Sequence, residues 1–387
     1  MLGAIIGDII GSRFEFNNHR SKDFDLFAKG CFATDDSLMT LAVAKAILSC
    51  GGGWDKLGDQ TVKYMQEIGR KYPNCGFGSA FNRWIFSDDP KPYNSFGNGA
   101  AMRVSPCGFI AKNEEEAKLL SRKVTEVTHN HKEGIKGAEA TTVAIYMARS
   151  GAIKKEIRKR IECDYYKLDF TIDGIRDTYQ FNETCQETVP QAIVAFLESK
   201  TFEDAIRNAI SIGGDSDTLA AIAGAIAEAY YGVPISLKRK VQTFINDELI
   251  GIYHEWERIT QSGMPNRRFD FITKYICKLK DRSNWESFCQ EFYVFIQLNP
   301  EYGLQDFQAV LEKHGLKWSE ESMKAAEIDS LDEKTGLALI LGVLNAERFA
   351  EGALETFITD GCIANWLGRL KAIDDESKQE PSRSALK

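Results

Sequence analysis

Apolar residues recur at intervals of three or four along most of this chain, and this helical period is the feature that most restricts its fold. The spacing runs through residues 34–48, 132–151, 188–199 and 201–211 and through the opening stretch, whereas the alternation typical of strands is scarce. Two segments, GAIIGDIIG and AAIAGAIAEAYYG, are rich in Ala and Gly, which allow helix backbones to approach closely. We therefore predict an all-α fold with a compact many-helix core.

The chain is long enough for more than one core. It has 387 residues, of which 43% are hydrophobic, and a polar break, QSGMPNRR, interrupts it at residues 261–268. Shorter amphipathic helical patterns with Trp, Phe and Lys follow the break. We expect a large domain over residues 1–262, a small helical domain over 263–374, and a disordered tail over 375–387, where apolar residues are almost absent.

Charge and cysteine usage exclude several classes of function. The formal net charge of −8 argues against binding a nucleic-acid backbone, which requires clustered Lys and Arg. No uninterrupted apolar run approaches the roughly 20 residues of a membrane helix. The nine cysteines are scattered singly, without a C-x-x-C pair, as is typical of reduced thiols. We expect a cytoplasmic protein without a membrane segment.

The most informative polar residues stand at the beginning of an apolar helix. In SIGGDSDTLAAIAGAIAEAYYG the first turn carries Asp215, Asp217 and Thr218. One acid at a helix start is more often a cap than a ligand, because it accepts backbone N–H bonds and complements the helix dipole. That reading does not explain two acids and a hydroxyl. The preceding Gly213 and Gly214 permit a tight turn and a close approach to a ligand.

A second acidic cluster has the same character. Thr34, Asp35 and Asp36 precede the apolar run SLMTLAVAKAIL, and Glu15 follows the small-residue segment GDIIGSRF. If both helix starts lie at one rim, carboxylates about 4 Å apart repel by roughly 4 kcal/mol per pair at an effective dielectric constant near 20. Convergence would therefore require a cation. Oxygen ligands without His or Cys suit Mg²⁺, Mn²⁺ or Ca²⁺ better than zinc, and two divalent ions would offset four of the five carboxylate charges.

Two further motifs are candidates for ligand contact. SFGNGAAMR combines two glycines with Asn98, so its backbone N–H groups can face an anion, although GNG alone is more typical of an ordinary tight turn. Tyr93 and Phe96 can stack on a base or a sugar or can simply pack. VTHNHKEG contains His129 and His131, and a single histidine is more often structural than catalytic.

Together and in this order, GDIIGSRFE, TDDS, SFGNGAAMR, VTHNHKEGIKGA and GGDSDT resemble the motifs of the ADP-ribosylglycohydrolase family, of the dinitrogenase-reductase-activating glycohydrolase type. The resemblance covers residues 1 to about 260. It implies a compact all-α domain that holds two Mg²⁺ or Mn²⁺ ions in a cleft and removes ADP-ribose from a modified protein or another ADP-ribosylated acceptor. The C-terminal part of the chain lies outside it.

The resemblance also assigns roles to individual residues. The metal ligands that it implies are Thr34, Asp35, Asp36, Asp215, Asp217 and Thr218. The catalytic residues that we expect are Glu15, Asp36 and Asp217, with Glu15 bridging to a metal or moving when substrate enters. The expected substrate contacts are Ser95, Phe96, Gly97, Asn98, Gly99, His129, Gly213 and Gly214.

Residue chemistry leaves two alternatives open. Acid-rich metal sites also serve binuclear phosphohydrolases that act on nucleotides. A non-catalytic module that binds ADP-ribose is the second alternative. The proton chemistry is open as well, between Glu15 and a metal-held water.

Overall fold

A computed structural model describes residues 1–262, 269–299 and 302–376. The described residues form helices, turns and loops, apart from one isolated antiparallel bridge between Gly97 and Thr184. The predicted all-α fold is confirmed. None of the described helices is long and apolar enough to cross a membrane.

The chain divides into two compact units, Met1–Thr260 and the part from Gln261 onward. The helices that begin in the first unit are α1 (Leu2–Gly11), α2 (Asp35–Cys50), α3 (Leu57–Lys71), α4 (Ser79–Ile85), α5 (Gly99–Met102), α6 (Ser105–Ile110), α7 (Glu114–Thr125), α8 (Lys132–Arg149), α9 (Lys154–Asp164), α10 (Ile172–Ile175), α11 (Cys185–Glu198), α12 (Phe202–Ile210), α13 (Ser216–Tyr231), α14 (Ile235–Val241) and α15 (Asp247–Ser262). Those of the second unit are α16 (Asp270–Thr273), α17 (Trp285–Leu298), α18 (Phe307–Lys313), α19 (Glu320–Lys324), α20 (Glu333–Glu347), α21 (Ala353–Thr359) and α22 (Cys362–Glu376).

Helices α1 and α13 form the centre of the first unit. Every residue of α1 is buried, and only Glu228 of α13 is not. The glycines of α1 make the close packing possible, because a Cβ atom on Gly7 would lie 2.0 Å from the carbonyl oxygen of Ala220. A Cβ atom on Gly11 would lie 2.5 Å from the Cα atom of Asp217. The small-residue pattern therefore sets how closely the end of α1 approaches the acidic start of α13.

The second unit has its own apolar core, centred on α20. This core runs from Phe269 to Leu370 and is separate from the first unit's core, which ends at Trp256. Helix α22 includes residues 375 and 376 of the segment that we expect to be disordered. The rest of that segment and most of the polar break at 261–268 lie outside the described residues.

Candidate active site

The starts of α2 and α13 meet at one rim of the first unit. The Thr218 hydroxyl donates a hydrogen bond to Oδ2 of Asp36 over 3.2 Å. Glu15, which follows a short helical turn after α1, has a carboxylate oxygen within 4.8 Å of carboxylate oxygens of Asp215 and Asp217. The fold therefore brings together the two acidic clusters and Glu15, three segments that are far apart in the chain.

Asp8 of α1 accepts hydrogen bonds from residues at the start of α2. It is completely buried in α1, and Oδ2 accepts the backbone N–H groups of Thr34 and Ser37 at 3.0 and 3.1 Å and the Ser37 hydroxyl. Its Oδ1 accepts the Thr34 hydroxyl at 2.6 Å. Since the Thr34 hydroxyl donates its only proton to Asp8, its two lone pairs can accept other partners. One of them accepts the N–H of Asp36.

The loop before α13 is shaped by residues that precede α2 in the chain. Gly213 and Gly214 have φ of 70° and 75°, a conformation that favours glycine. The N–H of Gly214 donates to the side-chain oxygen of Asn18 over 2.6 Å. The Arg20 guanidinium donates to the carbonyl oxygens of Ile212 and Tyr179. These contacts fix the turn that delivers Asp215 to the rim.

A third loop reaches Asp35. The Asp35 N–H donates to the carbonyl oxygen of Cys75 over 3.0 Å, and a Cβ atom on Gly76 would lie 3.0 Å from Asp35 Oδ1. Gly76 also has a φ of 113°. The loop NCGFG thus borders the acidic cluster, and Gly76 leaves room for the Asp35 carboxylate.

Burial dominates the electrostatics of the acidic cluster. It raises the pKa of Asp36 and Asp217 well above the ordinary value, and neighbouring carboxylates add to the effect. Burial and Asp8 raise the pKa of Asp35 to about 8, and burial raises that of Asp215. For the half-buried Glu15, burial and Asp215 raise the pKa to about 7.

The cluster has the features expected of a site for a divalent cation. No basic side chain of the described residues is among the main influences on the pKa values of these five acids. Oδ1 of Asp36 is buried without a hydrogen-bond partner among the described residues. An unpaired buried carboxylate oxygen is unfavourable unless a proton or a cation accompanies it. The oxygen-only donor set therefore fits Mg²⁺ or Mn²⁺.

The SFGNGAAMR loop lies against the same rim. The Asn98 side-chain amide donates to Oδ2 of Asp215 over 2.6 Å and to the Thr188 hydroxyl over 3.1 Å. Two backbone N–H groups of the loop already donate hydrogen bonds to other groups of the protein. That of Gly97 donates to Ser95 Oγ, and that of Asn98 donates to the carbonyl oxygen of Glu183. These two N–H groups therefore fit the tight-turn interpretation of GNG, since both have protein acceptors.

His129 lies beneath the glycines of this loop. A Cβ atom on Gly97 or Gly99 would lie 3.6 Å from His129 Nε2. Its Nδ1 is 2.7 Å from the hydroxyl oxygen of Thr128, which also accepts a hydrogen bond from Arg103. Burial, and then the Arg103 charge, lower the pKa of His129 well below its usual value, so the imidazole is neutral. Phe96 is 45% exposed at the outer side of the loop, and its ring centroid is 5.3 Å from that of His131.

Sequence reasoning missed several residues that build the rim. Asp8, Asn18, Arg20 and Gly76 had no assigned role. The signal for Asp8 was available, because a carboxylate inside an otherwise apolar helix must find hydrogen-bond donors. Asn18 and Arg20 act on a loop more than 190 residues away in the chain, and no local pattern marks such a contact.

Comparison with known proteins agrees with the resemblance. A family model described as ADP-ribosylglycohydrolase matches residues 1–262. ADP-ribosylhydrolase ARH3 of Gallus gallus is 25% identical, over 63% of this chain and 88% of that protein. ADP-ribosylarginine hydrolase Tri1 of Pseudomonas putida (strain GB-1) is 28% identical, over 60% and 70%. A solved structure titled ADP-ribosylglycohydrolase-related protein complex shares the fold, with a TM-score of 0.52 and 22% identity over 67% of this chain and 95% of that one.

Proposed function

Because this chain belongs to the ADP-ribosylglycohydrolase family, we propose that it is a metal-dependent hydrolase that releases ADP-ribose from a modified acceptor. The bond cleaved is the one between the anomeric carbon of the distal ribose and the acceptor atom. The observation that carries this proposal is the convergence of Glu15, Asp215 and Asp217 within 4.8 Å, beside Asp36. We propose an ADP-ribosylated protein as the acceptor class, among the acceptors that the chemistry allows.

The same convergence supports an assignment of ligands. We propose that two Mg²⁺ or Mn²⁺ ions are held by the six oxygen-bearing side chains at the starts of α2 and α13, which are Thr34, Asp35, Asp36, Asp215, Asp217 and Thr218. The chemistry that such ions supply when bound is charge stabilisation and orientation of sugar hydroxyls. Two neutral hydroxyls in this set have defined proton acceptors, Asp8 for Thr34 and Asp36 for Thr218. Thr34 also accepts the N–H of Asp36, so one of its lone pairs is left for a cation.

Glu15 is suited to move a proton. Its carboxylate oxygen lies within 4.8 Å of carboxylate oxygens of Asp215 and Asp217, so it borders the place where the ribose would be held, and a carboxyl group there can accept and donate a proton. It is half-buried, whereas Asp36 and Asp217 are buried. We therefore propose that Glu15 carries the proton. Asp36 and Asp217 would act by holding the metal ions that orient the reacting ribose.

The glycine loop supplies the substrate contacts. We propose that Ser95, Gly97, Asn98 and Gly99 line the site of the diphosphate and distal ribose, with Gly213 and Gly214 opposite. The Thr128 hydroxyl, which accepts a hydrogen bond from Arg103, lies 2.7 Å from His129 Nδ1, and His129 Nε2 lies next to the loop. Phe96 offers an exposed face for the adenine.

Two exposed aromatic rings provide a surface for the acceptor. Phe16 follows Glu15 directly, is 84% exposed, and has its ring centroid 6.0 Å from that of Phe181 in a stacked pair. We propose that the acceptor protein contacts this pair.

All nine cysteines are free thiols, as a reducing compartment maintains, and we propose a cytoplasmic location on that ground.

The decisive experiment is incubation with peptides ADP-ribosylated on arginine or serine and with an ADP-ribosylated oligonucleotide. We expect ADP-ribose to appear by chromatography in Mg²⁺ and not in EDTA, with recovery when Mg²⁺ is restored. Asp36→Asn should abolish release, while Asp59→Asn, which changes an exposed acid in the first turn of α3, should not. Release that persists in EDTA after dialysis, or release of AMP or phosphate instead, would contradict the proposal.

A further inference from the structure

The second unit contains an apolar groove with no assigned role. Helices α19, α20 and α21 and the residues beside them border an open groove of about 550 Å³, which we call the α20 groove and define by Trp318, Met323, Val343, Phe349 and Phe357. Val343, Met323 and Phe357 are buried and form its floor, while Trp318 and Phe349 are 36% and 84% exposed. Exposed aromatic residues around a well-formed depression are typical of sites that bind a partner.

The groove is built to keep its shape. The Trp318 indole N–H donates to the carbonyl oxygen of Gly342 over 2.9 Å, and the ring packs edge-on against Phe307. A Cβ atom on Gly342 would lie 3.0 Å from the Met323 methyl group and 3.4 Å from Trp318. Gly342 thus allows both side chains to lie directly on α20. A preformed site loses little conformational entropy when it binds.

The rim of the groove is acidic. The lining residues come from two segments, 317–324 and 343–360, which contain six carboxylates and three basic side chains. Lys324 pairs with Glu320 and Asp360 at 2.6 and 2.5 Å, Arg282 lies 3.4 Å from Glu355, and Arg348 lies 5.5 Å from the centre of the Tyr293 ring. The exposed Glu321 and Glu351 lie on these two segments. The unbalanced negative charge favours an occupant with basic residues.

We propose that the α20 groove binds an amphipathic helix from another protein, whose apolar face enters the groove and whose flanking Lys and Arg residues face the acidic rim. Large apolar side chains spaced three or four residues apart are the usual anchors in a groove between helices. The lining has few polar groups to orient a small polar metabolite, and such a ligand would leave Phe349 in water. The inference is independent of the proposed hydrolase activity.

The experiment uses the full chain and a fluorescent peptide of about 18 residues, five helical turns, with Leu on one face and Lys on the other. We expect saturable binding by fluorescence anisotropy, weakened by salt. A peptide of the same composition with Leu and Lys permuted to destroy the apolar face should bind at least about tenfold more weakly. A Leu and Glu peptide should not bind. Equal binding of the amphipathic and permuted peptides would overturn the proposal.

Variants locate the binding. Phe349→Ala changes an exposed side chain and should weaken binding at least about tenfold. Phe86→Ala, at a 48% exposed phenylalanine of the first unit, is the matched control and should bind as the parent does. The double variant Glu321→Gln and Glu351→Gln should bind more weakly and with less dependence on salt. An unchanged affinity of Phe349→Ala would overturn the proposal.

Other occupants give distinct results, each of which would overturn the proposal. Dimers of the parent that become monomers in Phe349→Ala, measured by light scattering, would assign the groove to a second copy of the chain. Peptide binding that appears only after removal of residues 377–387 would assign it to that segment. Binding to vesicles of anionic phospholipid, lost in Phe349→Ala, would assign it to a membrane surface.

Discussion

Substitution of Asp217 tests whether the acids at the start of α13 are metal ligands or helix caps. Its carboxylate lies among carboxylates, and burial, Asp215 and Asp36 together raise its pKa. Without metal, Asp217→Ala relieves this repulsion, and we expect an unfolding free energy equal to the parent's or about 1 kcal/mol higher. In Mg²⁺ the order should reverse, because the parent gains binding free energy that the variant loses. Turnover should be abolished.

Melting curves in EDTA and in excess Mg²⁺ measure both effects. Asp59→Ala is the matched control, because Asp59 is an exposed acid in the first turn of α3. Its unfolding free energy should fall by a few tenths of a kcal/mol, and by no more than about 1 kcal/mol, with or without metal. If Asp217→Ala is clearly destabilised in EDTA, the residue is chiefly a cap and its assignment as a ligand is wrong.

Asp8 acts at the same scale without touching the proposed ions. In Asp8→Asn one acceptor oxygen becomes an amide donor, which cannot accept the N–H and O–H groups of Thr34 and Ser37. We expect the Thr34 hydroxyl to reorient and the affinity for Mn²⁺ to fall about 10- to 100-fold by calorimetry. Ser37→Ala removes one of the donors and should have a smaller effect. Unchanged affinity in a folded Asp8→Asn would show that the residue only supports the helix start.

At the scale of helices, the contact between α1 and α13 controls the site's geometry. In Gly7→Ala the new methyl group would meet the Ala220 carbonyl at 2.0 Å, so the helices must separate. We expect a loss of about 2–3 kcal/mol in urea unfolding and weaker metal binding. Gly251→Ala is the control, because nothing lies within 4 Å of its Cβ position on α15 and the change should stabilise by up to about 1 kcal/mol. Equal effects of the two variants would contradict the role of close packing.

The helices were also the most predictable part of the molecule. The apolar period over residues 34–48 corresponds to α2 at Asp35–Cys50, and GAIIGDIIG forms α1. Periodicity identifies a helix because its buried face repeats locally along the chain. The supports of the site were less predictable, because the partners of Asp8 are 26 and 29 residues away and those of Asn18 and Arg20 far more. Which loops meet depends on how the helices pack.

At the scale of the whole molecule, two separate cores predict that the first unit folds alone. We propose that residues 1–262 form the catalytic domain and that residues 263–374 form a second helical domain. Every proposed site residue precedes Tyr231, and the first core ends at Trp256. A chain that ends at Ser262 should therefore melt cooperatively and cleave a small ADP-ribosyl substrate with kcat/KM comparable to that of the parent. A truncated chain that folds but cannot cleave would show that the second unit completes the site.

The stability of the metal-free protein should depend on pH in the direction opposite to ordinary acid denaturation. Folding raises the pKa values of Asp8, Glu15 and Asp35 to about 6, 7 and 8, whereas these groups ionise near pH 4 in an unfolded chain. Between about pH 4 and pH 8 the native state therefore binds more protons than the unfolded state, so the unfolding free energy falls as the pH rises.

In EDTA we expect the Tm to fall by on the order of 5–10 °C from about pH 5 to about pH 8, a range in which ordinary surface acids are already ionised. In excess Mg²⁺ the slope should flatten or reverse, because ionised carboxylates then hold the cations and the metal stabilises the native state. Asp217→Ala should show a shallower slope in EDTA than the parent, since it removes one of the coupled acids. A Tm in EDTA that rises over this range would show that the native state holds these carboxylates ionised without metal, and would contradict the proposed electrostatic strain.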